Sequence, residues 1–138
     1  MRADIVALAR SWLGTPYHHQ AALKGVGCDC LGLVRGVYAE AYGRPAEAPP
    51  PYSRDWAEAC AAETMIAAAT RHLIALAPAD AQPGDVLIFR LRPGAMAKHC
   101  GIVTEPAKII HAVEGAPVCE VSLSPWWLRR IAAAFRFP

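Results

Sequence analysis

Cys30 stands in the run Gly27-Cys28-Asp29-Cys30-Leu31-Gly32-Leu33-Val34, directly before a stretch whose apolar residues recur at helical spacing. Its sulfur is therefore expected at a helix N-terminus, where the partial positive charge of unsatisfied first-turn N–H groups favours the thiolate. The thiolate is the attacking form of cysteine. Far downstream, His99 and His111 sit in separate short apolar runs of strand character. Cysteine, a base and a group to orient that base form the pattern of nucleophilic catalysis. A rival chemistry is zinc binding, because Cys28, Cys30, His99, Cys100 and His111 are all ligand types that zinc accepts. Cys-x-Cys is a poorer spacing than Cys-x-x-Cys, and a pair spanning a helix start points its sulfurs apart. The nucleophile is the preferred reading, and no metal or other cofactor is expected.

These side chains must be positioned by elements that the pattern also specifies. Over residues 4–13, Ile5, Leu8, Ala9 and Trp12 fall on one helical face, with Gly14 and Pro16 as stop signals. Residues 14–27 read as a polar loop stiffened by its proline. Asp29 is placed to cap a second helix over 30–42 that buries Leu31, Val34, Val37, Tyr38 and Ala41 and stops at Gly43. Four prolines within 45–51 make an extended connection, and residues 55–70 favour helix on alanine content, with a break near Glu63. After the turn Pro83-Gly84-Asp85 the period changes. Short runs at 86–89, 100–103, 108–112 and 118–121 predict an antiparallel meander. Ser124-Pro125-Trp126-Trp127 reads as a capped helical turn with proline first, and 131–137 as a closing strand. Helices first and strands second is an α+β order.

The 138 residues suit one domain, 1–138, and 54% hydrophobic with 19% charged residues describes a folded globular chain. A net charge of +2 gives no case for nucleic acid or an anionic membrane as partner. The N-terminus lacks the features of a signal peptide, and no apolar run is long enough to span a bilayer. The chain is therefore expected to be made in the cytoplasm and to stay soluble, without membrane insertion. Five cysteines, Cys28, Cys30, Cys60, Cys100 and Cys119, are an odd number without an export signal, which disfavours a disulfide framework. Cys28, Cys60 and Cys119 read as core or surface thiols, and His72 as structural. His18 and His19 are either solvated or at the edge of a cleft. Trp126 and Trp127 read as core, and Arg129 and Arg130 as a solvated face.

Five short motifs in order carry a resemblance: Leu13-Gly14-Thr15-Pro16-Tyr17, Asp29-Cys30-Leu31-Gly32-Leu33-Val34, Gln82-Pro83-Gly84-Asp85-Val86, His99-Cys100-Gly101-Ile102-Val103 and Ile110-His111-Ala112. Together they resemble the NlpC/P60 cysteine peptidases, and more narrowly the compact single-domain members found in phage tails and gene transfer agents. The resemblance implies a papain-like core in which a helix-borne cysteine faces a small antiparallel sheet. It also implies cleavage of amide bonds in the peptide stems of bacterial peptidoglycan, with the D-glutamyl to diaminopimelate bond as a candidate. Residue by residue, Cys30 matches the nucleophile, His99 the general base and His111 the polar residue that orients it. Tyr17, Asp29 and Gln20 fall among the substrate-contacting and oxyanion-side positions. Two departures are visible: Leu31 where many members have serine, and Cys100 where many have valine.

The mechanism so implied has Cys30 attacking a stem-peptide carbonyl, with first-turn N–H groups and Tyr17 facing the oxyanion and His99 protonating the leaving amine. Histidine as orienter is a softer electrostatic partner than a carboxylate, so activity is expected to fall at acidic pH, where His111 itself protonates. Tail-tip or baseplate proteins are the expected partners, giving the chain a route to the wall on a virion or tail particle. The alternatives are a structural baseplate adaptor that keeps the peptidase fold, and an amide hydrolase or acyltransferase of related fold.

Overall fold

The computed structural model of the protein describes residues 2–47 and 63–138. Helix α1, Arg2–Arg10, buries Ile5 and Ala9 and is followed by the buried Trp12, with Leu8 packed alongside. Its last turn tightens: the N–H groups of Ser11, Trp12 and Leu13 bond back three residues to Leu8, Ala9 and Arg10. The regular helix thus ends three residues before the predicted stop, and Gly14 turns the chain at φ 85°. The segment expected as plain loop holds a small antiparallel hairpin, β1 (Ala22–Leu23) and β2 (Gly27–Cys28). Two-residue strands carry no period by which a sequence could announce them.

Helix α2 spans Cys30–Tyr42, as its caps predict. Asp29 accepts from Gly32 N–H at its start, and Gly43 closes it in the left-handed conformation at φ 70°. Leu33, Val34, Val37 and Tyr38 are buried, while Leu31 and Ala41 only lean on the core from its margin. Gly36 sets the approach of the two helices: a Cβ there would lie 2.1 Å from Cζ2 of Trp12. Helix α3 is Thr64–His72, beginning just after Glu63 where the break was expected. The earlier part of the predicted 55–70 helix lies outside the described residues, as do Cys60 and most of the proline-rich connection. His72 has the structural role expected of it, its Nε2 lying 2.6 Å from Glu47 Oε1.

Beyond α3 the chain forms β3 (Ile74–Leu76), a 3-10 turn at Pro78–Asp80, β4 (Val86–Phe89), β5 (His99–Glu105), β6 (Lys108–His111), β7 (Cys119–Ser122), helix α4 (Pro125–Leu128) and β8 (Ile131–Arg136). The sheet order is β3-β8-β4-β5-β6-β7, with every pairing antiparallel. The meander from β4 to β7 is as predicted. The last strand does not extend it but crosses back to pair between β3 and β4. The edge strand β3 has no counterpart in the sequence reading, since three residues, two of them exposed, show no usable period. At α4, Pro125 opens the turn as expected, but the Ser124 side chain makes no cap bond.

The sheet separates two apolar clusters. Val86, Ile88, Cys100, Ile102 and Ile110 face α1 and α2, whereas Leu87, Phe89, Val103, Ile109 and Ala134 form the other. This is why β4 reads Val-Leu-Ile-Phe without alternation: all four residues are buried, two on each face. Asp85, fully buried ahead of β4, is held bidentately by Arg136 of β8 at 3.0 and 2.9 Å and accepts Gln82 N–H at 2.8 Å. Among the described residues no helix is long and apolar enough to cross a membrane.

Candidate active site

The start of α2 meets the start of β5. Cys30 Sγ lies 3.8 Å from the carbonyl of Lys98, and the Cys100 thiol donates to the carbonyl of Cys30 at 3.3 Å. Asp29 fixes this junction with both oxygens of its buried carboxylate: Oδ1 accepts Gly32 N–H at 2.7 Å and Oδ2 accepts Gln20 N–H at 2.8 Å. Leu33 N–H bonds the Asp29 carbonyl. The N–H groups of Cys30 and Leu31, which have no acceptor one turn earlier within the helix, lie at this start. Gly32 is required here, since a Cβ would lie 1.8 Å from the carbonyl oxygen of Ala21. A hydrogen bond from the Cys100 thiol, then one from the His99 ring and its positive charge, hold Cys30 well below the usual thiol range against the opposing effect of burial. Cys100, buried beside it, is pushed well above that range as the partner that keeps its proton. Cys28 is driven up to about 12, chiefly by burial, and stays an inert core thiol.

His99 and His111 meet across the sheet, His99 Nε2 to His111 Nδ1 at 2.9 Å. The register explains the meeting. Ile102 pairs with Ile110, which sets His111 opposite Gly101 and diagonal to His99 on one face. Gly101 leaves room for it, because a Cβ there would stand 3.2 Å from His111 Cβ. Burial, and then the charge of His99, lower His111 to about 4, so at neutral pH it is uncharged, and its Nε2–H tautomer can accept at Nδ1 a proton carried on His99 Nε2. That bond leaves His99 Nδ1 as the nitrogen turned to other partners.

Two positioning groups had no distinctive signal in the sequence. Trp127 of α4 lies 5.3 Å from each imidazole centroid, tilted 32° to His99 and 75° to His111, and it also packs on Phe89 at 5.0 Å. Of the two tryptophans expected in the core, Trp126 is 43% exposed, whereas Trp127 is half-buried and forms a wall against both rings. Glu63 accepts from Arg90 Nη1 at 2.9 Å and from Ala97 N–H at 3.2 Å, tying down the loop that leads into His99. Neither residue belongs to a motif, and only the tertiary contact reveals them.

The remaining candidates are placed as follows. Tyr17 is partly buried against the core, held by Cys28 N–H to the Pro16 carbonyl and His18 N–H to the Cys28 carbonyl, both at 3.0 Å. Gln20 has an exposed side chain and a left-handed backbone at φ 66°, and its N–H is taken by Asp29. Asp29 and the backbone N–H of Gln20 therefore brace the start of α2. His18 is exposed and His19 half-buried. Among the described residues no group of three or more His, Cys, Asp or Glu side chains is arranged to hold a metal ion.

A low-lying thiolate beside an imidazole, with first-turn N–H groups at its helix start, can attack a carbonyl and stabilise the resulting oxyanion. The second imidazole fixes the tautomer of the first, so that the first can hand its proton to a leaving amine.

Comparison with known proteins agrees with this construction. A search of curated protein sequences gave no match. Among solved structures, the NlpC/p60 domain of the peptidoglycan hydrolase SagA superposes with a TM-score of 0.72 at 24% identity, covering 99% of both chains. An NlpC/P60 family protein from Bacillus cereus gives 0.71 at 21% identity, over 99% of this chain but 40% of the other. The peptidoglycan hydrolase RipB from Mycobacterium tuberculosis gives 0.64 at 20%, over 98% of this chain and 64% of that one. These likenesses establish the shared α+β fold. The model of the NlpC/P60 family matches residues 14–136, nearly the whole chain and every motif from Gly14 to the last strand, and the protein belongs to that family.

Proposed function

We propose that this protein is a cysteine endopeptidase that cuts the peptide stems of bacterial peptidoglycan, with Cys30 as nucleophile, His99 as base and His111 as orienter. The observation that carries this reading is the 2.9 Å contact between His99 Nε2 and His111 Nδ1 at the start of β5, the point where Cys30 Sγ comes 3.8 Å from the Lys98 carbonyl. Family membership and the likeness to domains of named peptidoglycan hydrolases support the substrate class. In the reaction the thiolate attacks the amide carbon, and the N–H groups of Cys30 and Leu31 face the oxyanion. His99 gives its proton to the departing amine, and water then hydrolyses the acyl-enzyme with His99 as base. Tyr17, bridged to Cys28 two residues before the nucleophile, is assigned to the substrate side.

We further propose that the protein is made in the cytoplasm and acts from the tail tip or baseplate of a phage or gene-transfer-agent particle. The support is the resemblance of its motif set to compact tail-borne members. Purified protein incubated with cell-wall sacculi is expected to release soluble stem-peptide fragments, and Cys30→Ala to release none. Equal release by the variant, or none by either, overturns the peptidase. Co-purification of the chain with tail particles is expected, and its absence from them overturns the delivery route.

A further inference from the structure

The proposed mechanism leaves one buried nucleophile unused: Cys100, 2% exposed, on the strand face opposite His99. Its thiol reaches the backbone carbonyl of Cys30 at 3.3 Å, where the start of α2 packs on β5. The two cysteines meet across the packing of α2 on β5, one partly exposed and held toward the thiolate, the other buried and holding its proton. That asymmetry is what a redox pair needs, since one sulfur must attack an oxidant and the other must then resolve the product.

We propose that Cys30 and Cys100 form an oxidant-responsive dithiol, in which a hydroperoxide converts the active thiolate to a reversible intramolecular disulfide. The inference rests on the reading of Cys30 as a reactive thiolate. Cys30 thiolate attacks one oxygen of hydrogen peroxide and breaks the O–O bond; hydroxide leaves, takes up a proton to become water, and Cys30 becomes a sulfenic acid. The Cys100 sulfur then attacks the Cys30 sulfur. An S–S bond forms, the S–O bond breaks, and the leaving oxygen departs as water with the Cys100 proton. The pair of thiols has lost two electrons, and the peroxide has been reduced to two waters. Cys30 is the partly exposed member and the entry point for oxidant, while Cys100, buried, is reached only by its neighbour. The disulfide blocks the nucleophile and spares it from irreversible oxidation until a thiol reductant restores it.

The test uses the intact protein treated with about a tenfold molar excess of hydrogen peroxide, enough for two oxygen transfers to one sulfur. The mass is expected to fall by two hydrogens, peptide mapping to join Cys30 to Cys100, and dithiothreitol to return iodoacetamide-reactive Cys30 to within about twofold of the untreated level. Cys100→Val and Cys100→Ser are expected instead to gain two oxygens at Cys30, with a loss of reactive thiol of about tenfold or more that dithiothreitol does not reverse. Irreversible oxidation of the wild type, or a bridge from Cys30 to Cys28 or Cys119, overturns the proposal. None of these readouts requires cell-wall substrate. A protein that forms the disulfide yet releases nothing from sacculi therefore refutes the peptidase and leaves the dithiol standing, and the converse separates them equally.

Discussion

At the scale of single residues the site is organised by a pair of cysteines and a pair of histidines, each with one member kept neutral: Cys100, hydrogen-bonded to Cys30 and buried, is pushed up, and His111, buried beside His99, is pushed down to about 4. For the thiols, alkylation of Cys30 by iodoacetamide is expected to titrate well below the free-thiol value of about 8.5, with Cys28 unreactive. Cys100→Val removes the largest stabilising contact and should move that midpoint upward; an unmoved midpoint shows that Cys100 does not share its proton with Cys30. For the imidazoles, His111 is depressed to about 4 in the folded protein from an ordinary 6.5. Between those values the unfolded chain binds the proton that the folded chain refuses. Stability is therefore full above the upper value and falls as pH drops through the window, by up to about 3 kcal/mol. Activity should fall with it near pH 4, lower than an unshifted histidine would place the limb, because protonated His111 no longer accepts from His99. Denaturant midpoints and kcat/KM across acidic pH measure both effects, and activity that stays level well below pH 4 contradicts the role given to His111.

At the scale of elements, the beginning of α2 and the short helix α4 determine whether these groups meet. Asp29 ties the loop at Gln20 to the helix N-terminus, so Asp29→Ala loses a cap and a brace together, about 1–2 kcal/mol. Gly32→Ala, whose Cβ would overlap the Ala21 carbonyl, must push the same loop away, at about 1–3 kcal/mol. Both are expected to lower Tm. Gly32→Ala should also raise the Cys30 alkylation midpoint by shifting the start of α2 from its partners, whereas Asp29→Ala removes a negative charge that raises Cys30 and should not; a lower Tm with an unchanged midpoint in Gly32→Ala would show that the brace serves stability alone. Trp127 packs against both histidines from α4. Trp127→Leu should cost kcat between about tenfold and a hundredfold, through misplaced rings rather than lost substrate contact. KM should hardly move, and Trp127→Phe should restore most of the rate. A loss confined to KM would place Trp127 on the substrate instead.

For the whole molecule, the return of β8 to the centre of the sheet is the decisive long-range event. It brings Arg136 to the fully buried Asp85, anchoring β4, the strand on which β5 and its histidine are registered. Removing the cation while leaving the buried carboxylate is the costly direction. Arg136→Met is expected to destabilise the fold by about 3 kcal/mol, the low end for such pairs because the guanidinium is partly solvated. Arg136→Lys should recover part of it, and denaturant unfolding measures both. An Arg136→Met variant as stable as the wild type would mean that Asp85 is satisfied by its turn alone.

The chain's own order of residues determined the capped helix over Cys30–Tyr42, the Asp29 cap, the β4 to β7 meander and the identity of the cysteine and two histidines, because caps, periods and turn residues act over a few neighbours. The pairing of the edge strand β3, the crossing of β8, the wall made by Trp127 and the brace from Glu63 depended on contacts between residues tens of positions apart. No local period encodes these. The same holds for Cys100: the sequence shows it as a departure beside His99, but only the packing of α2 on β5 places its thiol against Cys30, since the distance between two side chains on different elements is set by how those elements pack.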